Sequence, residues 1–189
     1  MKKLTGIFLF LLCLNSFGQS WVLTPSGLRD SADTAKNFVI LKVDSTSAKD
    51  LYANTLKWMS KALGDPDSAI LEKVEGESMK YRVIVSKVTM VHSGAMMNDP
   101  ADVDYTALLN FKPGRIRCEI TAFSFYTAYR GKKIGDVPIS GPGGWGSPAI
   151  YEQGKLKREG AKKAIEDYFN DQLISLKDSV NAEAKKANW

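Results

Sequence analysis

Histidine and cysteine, the side chains that most often hold metals or carry catalysis, are nearly missing from this sequence, which has one histidine and two cysteines. A lone histidine, His92, excludes a multi-histidine zinc site and any Ser-His-Asp arrangement that does not use it. The nucleophile motifs G-x-S-x-G and S-x-x-K do not occur. A glycosidase-type pair of carboxylates stays open, because two acids can meet from anywhere in a sequence. We predict that the protein is not an enzyme.

Long hydrophobic runs are also missing, apart from one at the N-terminus. The charged start Met1-Lys2-Lys3 is followed by an apolar run from Leu4 to Leu14, about eleven residues against the ~20 that span a bilayer. Ser16 and Gly18 then supply the small residues of a signal-peptidase site. We therefore predict a cleaved secretory signal at residues 1–18, export to the periplasm or beyond the cell, and no integral membrane segment.

Cleavage of this signal would remove one of the two cysteines, Cys13. A lipoprotein signal has a small residue immediately before its cysteine, whereas Cys13 follows Phe10-Leu11-Leu12, so we favour a discarded cysteine over a lipid anchor. Cys118 is then left without a disulfide partner in an oxidising compartment. Because Cys118 lies in a segment of alternating apolar residues, we predict a buried, small apolar side chain rather than a reactive thiol.

The charge of the sequence has only a mild positive bias. The 26 basic side chains include Lys2 and Lys3, so the rest of the chain carries 24 basic and 21 acidic side chains, a net charge of +3. This charge is spread along the chain, and an exported protein meets little nucleic acid. We predict no nucleic-acid partner.

Hydrophobic periodicity predicts a mixed fold after an irregular lead-in at residues 19–36. We predict one domain at residues 37–128, followed by a Gly/Pro-rich loop at 129–153 and a C-terminal helix and tail at 154–189. The elements predicted within the domain are a strand at Asn37–Val43, a helix from Ser47 to Leu63, and strands at Ala69–Glu75, Met79–Met90, Asp102–Phe111 and Arg115–Thr127. The fold class is α+β, with a single curved, mainly antiparallel sheet of about five strands and two helices on one face, in the order β-α-β-β-β-β-α.

Alternation along the predicted strands divides the sheet into two different faces. One face is apolar and is predicted to pack against the helices; it carries Met79, Tyr81, Val83, Val85, Val103, Tyr105, Ala107, Leu109, Phe111, Ile116, Cys118, Ile120 and Ala122. The other face is mixed and partly wet; it carries Lys80, Arg82, Ile84, Ser86, Asp104, Thr106, Leu108, Arg115, Arg117, Glu119, Thr121, Phe123 and Phe125.

Three segments resemble a known bacterial family. They are Phe38-Val39-Ile40, then Ser47-Ala48-Lys49-Asp50-Leu51-Tyr52 with Trp58 on the same helix, and the hairpin Pro113 to Arg117. This combination, over roughly Thr34 to Phe125, resembles the family called domain of unknown function 4468. The resemblance implies a fold like that of the TATA-binding protein, export by Gram-negative cells, and packing roles for Tyr52 and Trp58. The family has no assigned activity, and the fold does not imply DNA binding.

Two features are candidates for binding. Strand parity places Arg115, Arg117 and Glu119 on one face, where register can bring Arg82 beside them. Such a cluster can hold an anionic ligand or an acidic partner through bidentate contacts, although ion pairing across a wet sheet face explains it more simply. The second candidate is Trp145 in the Gly/Pro-rich loop, since aromatic residues are enriched at binding hot spots.

Two further segments partly match ligand-binding motifs but lack other features that binding requires. Gly141 to Gly146 matches G-x-G-x-x-G, but the strand before it and the helix after it that nucleotide binding requires are missing. Asn98 to Asp104 gathers three carboxylates without the spacing, the glycine or the bidentate glutamate of a calcium loop. We predict no cofactor and no metal.

The sequence therefore favours an exported, non-catalytic binding or protein-interaction module of the cell envelope. The alternative is a structural or assembly accessory of a periplasmic complex that docks through the C-terminal helix. The partner of this protein would be an envelope protein or a small ligand. The identity of that partner, the oligomeric state and the final location are not determined by the sequence.

Overall fold

The structure, a computed structural model, describes residues 19–43, 45–92, 98–130, 132–142 and 149–187. The predicted signal peptide and Cys13 lie outside these residues. In chain order the elements are β1 (Trp21–Thr24), β2 (Gly27–Asp30), β3 (Phe38–Lys42), α1 (Ala48–Leu63), α2 (Pro66–Ala69), β4 (Ile70–Val74), β5 (Ser78–His92), β6 (Asn98–Lys112), β7 (Arg115–Tyr129), β8 (Lys132–Asp136), β9 (Ser140–Gly141), β10 (Tyr151–Glu152), β11 (Lys155–Leu156) and α3 (Glu159–Ala187).

The main sheet has six strands, and all of its neighbouring strands run antiparallel. Its order is β3-β7-β6-β5-β4, and β8 pairs with the far end of β7 on the same edge as β3. The three central strands, β5, β6 and β7, have 15 residues each. This architecture confirms the predicted α+β class, with one strand more in the sheet than about five.

Two local signals position the elements as the sequence predicts. The Ser47 hydroxyl accepts a hydrogen bond from the Asp50 N–H at 3.1 Å, so it caps the first turn of α1. Pro113 and Gly114 form the two-residue turn between β6 and β7, and Gly114 has the positive φ of 74° that the third position of a type II turn requires. This turn aligns Lys112 directly opposite Arg115.

Both long helices pack on the same face of the main sheet, as predicted. α1 contributes the buried Tyr52 and Trp58, and the Trp58 indole N–H donates to the Ser175 hydroxyl of α3 at 3.0 Å. On α3, Phe169 meets Tyr105 of β6 with ring centroids 4.9 Å apart. The alternation predicted for β6 is confirmed, because the five apolar side chains of its helix-facing side are buried: Val103, Tyr105, Ala107, Leu109 and Phe111.

The segment 19–36 is not the irregular lead-in that its composition predicts. It contains the hairpin of β1 and β2, in which Trp21, Leu23 and Leu28 are buried. Side chains of α3 complete the outer edge of β1: Asn170 accepts from the Trp21 N–H and donates to its carbonyl, and Glu166 accepts from the Leu23 N–H. Asn170 and Glu166 are more than a hundred residues away from this hairpin in sequence, so local composition gives no sign of them.

The segment 129–153 is likewise not one structureless loop. It begins with the end of β7 and contains β8, the short strand β9 and the parallel partner of β9, β10. The C-terminal helix starts at Glu159 rather than Gly154, because Lys155 and Leu156 form β11. In the described part of the chain, no helix combines the length and apolar character that crossing a bilayer requires.

A bulge in β7 corrects the predicted faces of this strand. Thr106 pairs with Ala122 and Ala107 with Ile120, so Thr121 is an extra residue that reverses the parity beyond it. Phe123 and Phe125 therefore point to the helix face rather than to the mixed face. Phe125 is buried, and the Phe123 ring lies 5.9 Å from that of Phe169. Ala122, predicted on the helix face, is exposed.

Cys118 is buried against the helices, which confirms its predicted role as a small apolar side chain. Burial raises the pKa of its thiol from the ordinary 9.0 to about 12. The folded state therefore holds the thiol proton more tightly than the unfolded state does. Its contribution to stability is complete below about pH 9 and is lost as the pH rises from there toward about 12.

We expect urea unfolding to reveal this titration. When the pH is raised from about 8 to about 10.5, the unfolding free energy of the wild type should fall by about 2 kcal/mol more than that of Cys118→Ala. The buried tyrosines Tyr81 and Tyr105 also have raised pKa values and destabilise both proteins alike at alkaline pH. An equal loss in the two proteins would show that the folded-state thiol titrates normally.

Candidate binding site

The face of the main sheet opposite α1 and α3 is called the open face here, since no described element covers it. Its side chains are polar and charged, with a few apolar residues among them. They are exposed or half-buried at the positions Phe38, Ile40, Lys42, Lys80, Arg82, Ile84, Asp104, Leu108, Asn110, Lys112, Arg115, Arg117, Glu119, Ser124 and Tyr126.

A cavity of about 360 Å³ lies on the open face where β3, β6 and β7 run side by side. We call it the cationic pocket. It is lined by two apolar side chains of β3, an amide of β6 and three cations near the turn between β6 and β7: Phe38, Ile40, Asn110, Lys112, Arg115 and Arg117. Its volume is within the range of sites that bind small molecules.

Strand pairing explains why these residues meet. Ile40 of β3 lies opposite Arg117 of β7, and Arg117 lies opposite Asn110 of β6. One step closer to the turn, Arg115 lies opposite both Lys42 and Lys112. The pocket is therefore built on three adjacent strands, which hold its side chains more rigidly than a loop would.

Arg117 is held in place by its neighbours. Its guanidinium carbon lies 4.0 Å from the centre of the Phe38 ring, a stacked cation–π contact. One of its nitrogens donates to Glu119 at 2.8 Å, and the same carboxylate accepts from the Asn37 amide at 2.8 Å. Glu119 thus orients Arg117 and balances its charge.

Arg82 does not join this cluster, which corrects the predicted grouping. Arg82 lies opposite Thr106, which in turn lies opposite Ala122, and this row of paired residues is two open-face rows away from that of Arg117. Arg82 forms a bidentate pair with Asp104, with nitrogen–oxygen distances of 2.8 and 2.5 Å. The Arg82 guanidinium lowers the pKa of Asp104. Because the Arg82 side chain is 54% exposed, solvent screens this pair and its contribution to stability is small. Ion pairing across the sheet accounts for Arg82.

Of the residues predicted for binding, Arg115 and Arg117 line the pocket and Glu119 supports it from outside. Trp145 lies outside the described residues, and its role stays a prediction. Sequence reasoning missed Phe38, Ile40, Asn110 and Lys112. The sequence does contain a signal that places Asn110 and Lys112 on this face. They alternate with the buried residues of β6 in the same way as Leu108, and a two-residue turn pairs Lys112 with Arg115.

The antiparallel sheet with its two long helices on one face defines the class of the protein: a mixed α+β domain with a TBP-like fold. Residues 38–126, just under half of the chain, match the family model described as "Domain of unknown function (DUF4468) with TBP-like fold". The segment holds α1 and the strands that build the cationic pocket, and it includes Tyr52 and Trp58, whose burial agrees with their expected packing roles.

Two solved structures share this fold. A DUF4468 family protein from Bacteroides ovatus has a TM-score of 0.53 and 19% sequence identity, over 76% of this chain and 84% of that one. A TBP-like protein from Parabacteroides distasonis has a TM-score of 0.51 and 12% identity, over 76% of this chain and 90% of that one. No curated protein sequence matches the chain.

Proposed function

We propose that this protein is an exported, non-catalytic binding module of the cell envelope that holds its ligand on the open face of the main sheet. The cationic pocket carries this proposal. It combines apolar walls with convergent polar groups, the composition that small-molecule sites have. The helices stabilise the domain from the opposite face, so a ligand has access to the pocket without any rearrangement of the core.

Export and the absence of catalysis rest on the sequence. Residues 1–18 have the charged, apolar and small-residue regions of a secretory signal. The single histidine and the missing nucleophile motifs leave few routes to hydrolysis. The alternative, docking through the C-terminal helix, required an apolar stripe wider than the sheet covers. Most large apolar side chains of α3 are buried against the sheet and hairpin, and Ile174 is an exposed one.

A ligand screen tests the proposal. The full-length chain is melted in the presence of compounds from several classes: phosphates, carboxylates, neutral sugars, amines and uncharged aromatics. We expect at least one class to raise the Tm, because ligands that bind only the folded state stabilise it. The variant Asn110→Trp fills the pocket with a large side chain and should abolish this shift.

The matched control is Ile84→Trp, which adds an aromatic ring at a 57% exposed position of the open face outside the pocket. This variant should respond to the same compounds as the wild type. A screen in which no compound separates the wild type from Asn110→Trp would contradict binding at the pocket.

A further inference from the structure

The charge around the cationic pocket is unbalanced. Arg115 lies directly opposite Lys112 on one side and Lys42 on the other, so three cations occupy one row across three strands. Within the described part of the chain, no acidic side chain forms an ion pair with any of the three, while Arg117 is paired with Glu119. Like charges directly opposite each other destabilise a sheet. The folded domain therefore carries a local repulsion that an anion would relieve.

The pocket also has an apolar side. Phe38 and Ile40 are half-buried on the strand next to Arg117, and the Phe38 ring carries the stacked guanidinium on part of its surface. An inorganic ion would leave these side chains in contact with water. A ligand with an apolar or aromatic body bonded to its anionic group would bury them.

We propose that the cationic pocket binds a phosphate monoester whose phosphoryl group lies against Arg115 and Lys112 and whose apolar body lies against Phe38 and Ile40. This inference rests on the proposed binding function and specifies its ligand. A phosphoryl group carries close to two negative charges at neutral pH, which matches this row of three cations better than the single charge of a carboxylate does. The planar guanidinium of Arg115 can bond two phosphate oxygens at once, and Lys112 adds a point charge.

Calorimetric titration of the full-length chain tests the ligand class with phenyl phosphate, benzoate and inorganic phosphate as probes. We expect phenyl phosphate to bind at least about tenfold more tightly than benzoate, because of the second charge. We expect the same margin over inorganic phosphate, because only phenyl phosphate buries Phe38 and Ile40. Equal binding of phenyl phosphate and either other probe, or no binding of phenyl phosphate, would overturn the inference.

Variants localise the binding. Arg115→Gln should weaken phenyl phosphate binding at least about tenfold, and Arg115→Lys should fall between it and the wild type, because it keeps the charge but loses the bidentate fork. The control Lys80→Gln removes a cation from the same face outside the pocket and should change the affinity less than about twofold. An unchanged affinity in Arg115→Gln would place the binding elsewhere and overturn the inference.

The ligand-free proteins give a second readout that does not depend on the probes. Relief of the repulsion should raise the Tm of Arg115→Gln above that of the wild type by about 1–3 °C. Saturating phenyl phosphate should reverse this order. A variant that melts below the wild type without ligand would contradict the unbalanced charge.

Vesicles distinguish the two sources of a phosphate monoester. Phosphatidylcholine vesicles with phosphatidic acid should capture the wild type, but not Arg115→Gln, if the ligand is a lipid headgroup. If the ligand is a soluble ester, the protein should bind phenyl phosphate but not the vesicles.

If phenyl phosphate does not bind while another compound class separates the wild type from Asn110→Trp, the phosphate inference is wrong and the binding function stands. If no class separates them, both are wrong.

Discussion

A chain that ends at Asp171 is expected to lose its cooperative unfolding transition. The removed part of α3 carries Leu173, Leu176 and Val180, all buried in the main core. Burial of each such side chain contributes roughly 1.5–3 kcal/mol, so the three together approach the whole stability of an average domain, about 5–15 kcal/mol. Near-ultraviolet circular dichroism during urea unfolding measures the effect.

A chain that ends at Ala184 is the matched control, because it removes only the end of α3, where Lys185 is exposed. Its unfolding free energy should stay within about 0.5 kcal/mol of the wild type. A role of α3 as a separable docking element predicts instead that the chain ending at Asp171 keeps its folded sheet. A cooperative transition in that shorter chain would show that the sheet folds without the helix.

Replacement of Trp58 by alanine is expected to lower the unfolding free energy by about 3–5 kcal/mol, the usual cost of a large buried aromatic side chain. Trp58 is 4% exposed, and it lines a small cavity of about 30 Å³ together with Trp21 and Phe169. Its indole N–H is also a hydrogen-bond link between α1 and α3. The loss therefore affects both helices, and urea unfolding at neutral pH measures it.

Two variants separate the causes of this loss. Trp58→Phe keeps most of the ring but removes the bond to Ser175, and we expect it to cost about 1–2 kcal/mol. Lys57→Ala changes the neighbouring exposed residue, whose ion pair with Glu183 contributes at most about 1 kcal/mol. If Trp58→Ala cost no more than Lys57→Ala, Trp58 would not be a core residue.

Local patterns were sufficient to predict much of this fold. The alternation of β6 identified its buried side, Ser47 marked the start of α1, and Pro113-Gly114 marked the turn to β7. In each case the determining interactions lie within a few residues of one another. A sequence read on its own carries such signals directly.

The errors come from interactions between distant parts of the chain. The β1–β2 hairpin depends on Glu166 and Asn170 of α3, whose side chains complete its edge. The bulge at Thr121 has no glycine or proline to mark it, yet it turns Phe123 and Phe125 toward the core. A two-residue period counted through such a bulge assigns every later side chain to the wrong face.

The candidate site shows the same division. Parity placed Arg115, Arg117 and Glu119 on one face, as the structure has them. The distance of Arg82 from Arg117 and the closeness of Phe38 to Arg117 follow from the pairing of β3, β7, β6 and β5, and that pairing is fixed by the packing of the whole sheet. The pocket itself therefore could not be predicted from the sequence.

The most direct test of the open face as the binding surface is photo-crosslinking in the native envelope. A photoreactive side chain is placed at Leu108, on the open face one row from the pocket, or, as the control, at Ala53 on the exposed side of α1. We predict a reproducible adduct from position 108, identified by mass spectrometry, and none from position 53. Adducts from position 53 alone would place the binding surface on the helices and contradict the account.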